Sequence, residues 1–241
     1  MSTDRTFPTR SQLDAYNSLT PAKRIELLSP YLTDERLAVL RSALARRTRR
    51  LTVALENIYH SQNASAVVRS CECFGLQDLT IIENTSRFLA SNGVARGASK
   101  WLTFHRFGSN AFNTPKAFES LHSRGYHIVA ASPHEGHDIS LYDLDIVSKP
   151  IAIVFGAEKF GLSEYALSHA DQRMLIPMCG LTESLNISAS VAITISHLRR
   201  AMDNALTPDT MSLTPDEADE VFSQWLLASV RDAQGILSRI L

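Results

Sequence analysis

The chain has 241 residues, 44% of them hydrophobic, and a formal net charge of −1. That is enough apolar material for one large α/β domain with extensions or for two small domains. No segment approaches the roughly 20 apolar residues of a membrane-crossing helix, and a polyanionic partner would have to be met by local rather than net charge. The opening MSTDRTFPTRSQ lacks the apolar stretch of a secretory signal. Cys71, Cys73 and Cys179 make no disulfide framework and read as reduced, buried thiols of a cytoplasmic protein. The eight histidines show no metal-ligand spacing, so no metal is expected, and without a long apolar stretch no membrane partner is expected.

Residues 1–50 read as a polar, helical extension. Thr20-Pro21 and Thr33 are helix-start signals. The extension ends in RSALARRTRR, which sets Arg41, Arg46, Arg47, Arg49 and Arg50 within ten residues without an acid. Two readings stand. The run is a solvated helix face, or it is a patch for an RNA or DNA backbone, since the planar guanidinium binds phosphate oxygens through two parallel hydrogen bonds.

Residues 51–206 alternate strand and helix patterns. Expected strands are LTVALE (51–56), LTII (79–82), WLTFHRF (101–107), HIVAAS (127–132), IAIVFG (151–156) and RMLIP (173–177). Helical runs fall near 63–74, 114–124, 163–169 and 184–204, the last with Val191, Ile195, Leu198 and Met202 on one face. The fold class is therefore α/β, a mostly parallel sheet with helices on both faces. GVARGAS (93–99) reads as a loop. Residues 207–241 form a helical tail with Thr214, Pro215 and Glu217 as a capping box and an apolar stripe of Val221, Phe222, Trp225 and Leu226.

Signatures of dinucleotide binding (G-x-G-x-x-G), nucleotide hydrolysis (G-x-x-x-x-G-K-[ST]) and serine hydrolases (G-x-S-x-G) are absent. What remains is polar residues at strand ends, where open α/β sheets place their sites. In NASAVVRS (63–70), Asn63 is a plausible helix cap, and Arg69 stands among small neighbours, either paired with Glu72 or free to clamp a phosphate. In VFGAEKFGLSE (154–164), two glycines flank Glu158-Lys159, and Ser163 could cap the next helix. In LTESLNISASVAI (181–193), Ser184 could cap the helix behind it, with small residues for close packing.

Together, in this order and spacing, these three stretches resemble the motifs of the SpoU-type RNA 2'-O-ribose methyltransferases of the SPOUT superfamily. The likeness covers roughly residues 34–205 and is strongest to the branch that methylates guanosine-18 of tRNA. It implies a C-terminal deep trefoil knot, a homodimer, and S-adenosylmethionine held at the strand ends by Ala131, Gly156, Ile176, Met178 and Leu185. It implies catalytic roles for Arg69, Asn63, Glu158, Ser184 and Asn186, with Glu158 orienting Arg69 or the substrate. The family proposes the arginine as general base; a guanidinium with a pKa above ~12 is better suited to electrostatic clamping. Gln62 stands where related enzymes often carry histidine, which bears on substrate choice. Methylation of rRNA or of another tRNA position, and a non-catalytic knotted RNA-binding protein, are the alternatives.

Overall fold

The computed structural model describes residues 18–88, 97–108, 110–133 and 139–240. The chain divides into two compact units, Met1–Arg46 with Leu213–Leu241, and Arg47–Ser212. In chain order the elements are α1 (Pro21–Leu28), α2 (Asp34–Leu44), β1 (Leu51–Glu56), α3 (Ser61–Cys73), β2 (Asp78–Ile82), β3 (Thr103–Phe107), α4 (Thr114–Ser123), β4 (His127–Ala131) and β5 (Ile139–Ser140). They continue with β6 (Ile151–Phe155), α5 (Glu164–His169), β7 (Gln172–Leu175), α6 (Ile187–Ala205), α7 (Pro208–Met211), α8 (Pro215–Ser229) and α9 (Ala233–Ile240).

The first unit joins helices from the two ends of the chain. Thr20 and Thr33 cap α1 and α2 by accepting hydrogen bonds from Lys23 N and Arg36 N, and Thr214 and Glu217 form a capping box on α8. The stripe Val221, Phe222, Trp225 and Leu226 is buried with Leu28 and Leu40, so the tail docks on helices of its own chain. Arg24 is buried too, and forks onto Glu220 at 3.1 and 3.2 Å.

The second unit is a seven-stranded sheet, order β3-β2-β1-β6-β4-β7-β5, whose pairings are all parallel among the described residues. The central strands β1, β2 and β6 are buried at every position, as expected of strands covered on both faces. Alternate residues of β1 point to opposite faces. Leu51, Val53 and Leu55 meet Val67, Val68 and Cys71 of α3 and Val191, Ile195, Leu198 and Met202 of α6, whereas Ala54 joins the cluster with Phe118 and Leu121 of α4. Full burial of each of the larger aliphatic and aromatic side chains stabilises by about 1.5–3 kcal/mol. Burial of Cys71 pushes its thiol pKa up to about 12, while Cys73 and Cys179 are exposed, contrary to the expectation of buried thiols.

Boundaries shift by one to three residues. The third expected strand begins at Thr103 because 98–101 form a 3-10 turn, entered through Gly97 at φ 84°. Residues 93–96 of the expected 93–99 loop lie outside the described residues. The last expected strand ends at Leu175, and the two-residue β5 had no recognisable pattern.

The arginine run is not one helix face, since α2 stops at Leu44. Arg47 is 3% exposed and donates to Leu76 O and to Glu72 Oε1. Its burial removes it from the expected RNA-docking set, and Glu72 takes Arg47 rather than Arg69 as its partner. Arg50 donates to the carbonyls of Ile146 and Val147. Arg49 and Arg124 both donate to Asp78, whose side chain is 2% exposed, and His105 Nε2 lies 3.3 Å from it. Burial alone would raise the Asp78 pKa; His105 and the two guanidiniums outweigh it and hold the carboxyl below its ordinary value.

Candidate active site

All strands of the sheet run the same way, so their C-terminal ends share one edge. The chain leaves β1 toward β2 and β3 on one side and returns to β4 on the other, which makes the β1/β6/β4 region the switch point where open sheets bind ligands.

The turn after β6 is built by two glycines. A Cβ on Gly156 would lie 2.1 Å from Gly161 C, so only glycine fits there. Gly161 has φ +66°, and Ala157 and Gly161 exchange backbone hydrogen bonds of 2.9 and 2.8 Å. Ser163 then caps α5, as its position suggested. The turn presents Glu158, Lys159 and Phe160, the last 80% exposed.

Glu158 does not reach Arg69. Its Oε1 accepts from Asn63 Nδ2 at 2.9 Å, and Asn63 Oδ1 accepts from Asn186 Nδ2 at 3.2 Å. Asn63 is not the cap of α3: His60 holds that position without a side-chain bond, and Asn63 sits in the first turn, where its amide binds a carboxylate instead. Asn186, not Ser184, caps α6, through Oδ1 contacts with Ser188 N and Oγ. Three residues from three separate motifs thus form one chain, Asn186–Asn63–Glu158. The second oxygen, Glu158 Oε2, is buried and receives no hydrogen bond from the described residues. A buried acceptor left in that state is costly unless a ligand satisfies it.

Beside this chain lies a cavity of about 500 Å³. Its walls are Ala131 from the end of β4, Phe155 and Ala157–Lys159 around the glycine turn, Met174, Ile176 and Met178 from β7 onward, and Glu183–Ile187 with Ser190 at the start of α6. Four of the five expected cofactor residues, Ala131, Ile176, Met178 and Leu185, line it. Gly156 does not, but shapes the wall between Phe155 and Ala157. Ser184 also lines it, and makes no hydrogen bond among the described residues. Arg69 is exposed, two turns along α3 from Asn63, with no hydrogen bond or ion pair among the described residues. No role was expected for Glu56 or Glu183. Glu183 lines the cavity, and Glu56 is a buried carboxylate behind the turn; an acid closing the apolar run LTVALE was the available signal for the latter. Among the described residues no cluster of three or more His, Cys, Asp or Glu could hold a metal, and no helix is long and apolar enough to cross a membrane.

Comparison with known proteins gives this edge a family. A tRNA (guanosine(18)-2'-O)-methyltransferase of Borreliella burgdorferi is 42% identical over 176 residues, 73% of this chain and 78% of its own length. The crystal structure of the A. aeolicus TrmH/SpoU tRNA modifying enzyme superposes with a TM-score of 0.71 at 26% identity, covering 83% of this chain and 98% of its own. An AdoMet-bound rRNA methyltransferase from Sinorhizobium meliloti, at 22% identity and a TM-score of 0.56 over 68% of this chain and 60% of its own, shares the fold. The model of the SpoU rRNA Methylase family matches residues 50–196, the span that holds the whole hydrogen-bonded chain and its cavity, and the protein belongs to that family.

Proposed function

We propose that the protein transfers a methyl group from S-adenosylmethionine to the ribose 2'-oxygen of guanosine-18 in tRNA. The observation that carries this reading is the Asn186–Asn63–Glu158 chain beside the cavity, found in a chain related to guanosine-18 methyltransferases. The cavity suits the cofactor. Its volume is that of a small-molecule site, its apolar walls can take an adenine ring, and Glu158 and Glu183 complement sulfonium and ammonium charge. When bound, S-adenosylmethionine supplies an electrophilic methyl group for in-line displacement.

The protein's own task is to hold the 2'-oxygen in line and steady its charge. Arg69, exposed and without a partner among the described residues, grips the phosphate beside the target ribose and stabilises the 2'-oxygen while another acceptor, such as solvent water, takes its proton. A guanidinium does this without deprotonating. Asn63 holds Glu158 in place, Ser184 faces the ribose from the cavity rim, and Asn186 locks Asn63 while capping α6. Ala131, Gly156, Ile176, Met178 and Leu185 shape the cofactor pocket, and a trefoil knot threads the segment between β6 and α6. The enzyme acts in the cytoplasm as a homodimer, an arrangement for which the exposed Phe160 and Leu181 offer apolar surface. Of the arginine run, the exposed Arg41 and Arg46 dock the tRNA backbone, with Arg49 and Arg50 half-exposed beside their own bonds.

The test is methyl transfer to an unmodified tRNA transcript, followed by nuclease digestion and mass spectrometry. A single 2'-O-methylguanosine at position 18 is expected; no transfer, or preference for ribosomal RNA, would overturn the proposal. Sedimentation checks the dimer, and an active monomer would contradict it.

A further inference from the structure

Glu56 closes β1 and is 1% exposed, yet among the described residues its donors include no cation. Its Oε2 accepts from Ser163 N at 2.8 Å, and its Oε1 from Ser163 Oγ at 2.8 Å, from Thr114 Oγ1 and from Asn84 Nδ2 at 3.3 Å. A buried carboxylate is tolerated only when hydrogen bonds replace its hydration. The neighbouring strands β2 and β6 end instead in apolar Ile82 and Phe155, so capping a strand here does not require an acid.

The reason lies in what Ser163 terminates. It ends the glycine turn that carries Glu158, and Glu158 is held at its other side by Asn63, which follows β1 on α3. From Glu56 along the chain to Asn63, across to Glu158, along the turn to Ser163 and back to Glu56, the links close a ring. Ser163 is bound through both its backbone N–H and its hydroxyl, so that end of the turn is anchored at two points.

We propose that Glu56 is a positioning residue for methyl transfer: by gripping Ser163 it fixes the turn that presents Glu158 to Asn63. The proposal rests on the methyltransferase reading above. Glu56→Gln would set an amide NH2 against donors and release the turn. It is expected to lower kcat about tenfold, equivalent to about 1.4 kcal/mol, with KM for tRNA changed less than about threefold.

Ser163→Ala removes the hydroxyl bond but keeps the backbone one, so it should lower kcat by less than Glu56→Gln, and the double variant should be no slower than Glu56→Gln alone, because the hydroxyl's partner is already altered there. Thr114→Val removes a Glu56 donor on the α4 side, away from the turn. It should lower the melting temperature while kcat stays within about twofold. Equal kcat losses in Ser163→Ala and Thr114→Val, additive losses in the double variant, or a Glu56→Gln enzyme that is less stable but fully active would overturn the proposal. If Glu56→Gln does not fold, Ser163→Ala against Thr114→Val still decides. Wild-type protein runs in the same assay; if it transfers no methyl group, the functional reading has failed, and this inference falls with it.

Discussion

The two edges of one sheet treat charge in opposite ways. At the N-terminal edge, Arg47, Arg49, Arg50, Arg124, Asp78 and Glu72 are matched to one another or to backbone carbonyls. At the C-terminal edge, Glu158 keeps one buried oxygen without a donor among the described residues, and farther along α3, between the two edges, Arg69 has no partner among them. Both edges carry acids, but the dense arginine run belongs to the N-terminal edge, where it is structural. Charge density says where ions are; only an account of their partners says which are left for a ligand.

The largest expected effect is at the unpartnered guanidinium on α3. Arg69→Ala should lower methyl transfer about 100- to 1000-fold, the loss typical of removing a donor from a developing oxyanion. Cofactor affinity by calorimetry should change little, because Arg69 does not line the cavity. Arg69→Lys keeps charge but loses the planar fork, and should remain strongly impaired.

The next effect belongs to the N-terminal edge. Asp78→Asn strips a buried carboxylate from Arg49 and Arg124 and should destabilise the protein by about 3 kcal/mol in urea unfolding, with turnover per folded molecule unchanged. The same residue sets a pH dependence. Its folded pKa is depressed, so its contribution is fully present above the unfolded value of about 3.9 and is lost as pH falls through the lower folded value. Wild type should therefore lose stability through this acid range more steeply than Asp78→Asn.

Gly156→Ala sharpens the comparison further. The added methyl would meet the backbone of Gly161, so the turn must open; cofactor affinity should fall about tenfold, or about 1.4 kcal/mol. The smallest effect is expected at the remaining exposed arginines. Arg41→Ala with Arg46→Ala should lower the slope of log tRNA affinity against log salt by about 0.9 or less per lost contact. An unchanged slope would assign them to the fold: Arg41 already lies over the Phe222 ring at 4.5 Å, and Arg46 Nε donates to Ser42 O.

Much of the fold was legible because its signals are local. The apolar runs of β1 and β6, the Thr20, Thr33 and Thr214 caps and the Val191–Met202 stripe follow from periodicity and capping chemistry alone. The candidate site was legible as motifs but not as bonds. Asn63 looked like a cap because asparagine often is one, yet its amide finds a carboxylate brought from residue 158 by the sheet. The arginine run looked like a docking face because nothing in the sequence places Asp78 or Glu72 beside it. Glu56 carried no assigned role because its partners, Asn84, Thr114 and Ser163, come from three distant segments of the chain.

The most direct test of the account is the position of the transferred methyl group when wild type, Arg69→Ala and Asp78→Asn act side by side on one unmodified tRNA transcript. The account predicts 2'-O-methylguanosine at position 18 from wild type and, per folded molecule, equally from Asp78→Asn, with almost none from Arg69→Ala. Methyl groups on a base or at another ribose, or an Arg69→Ala enzyme as active as wild type, would contradict it.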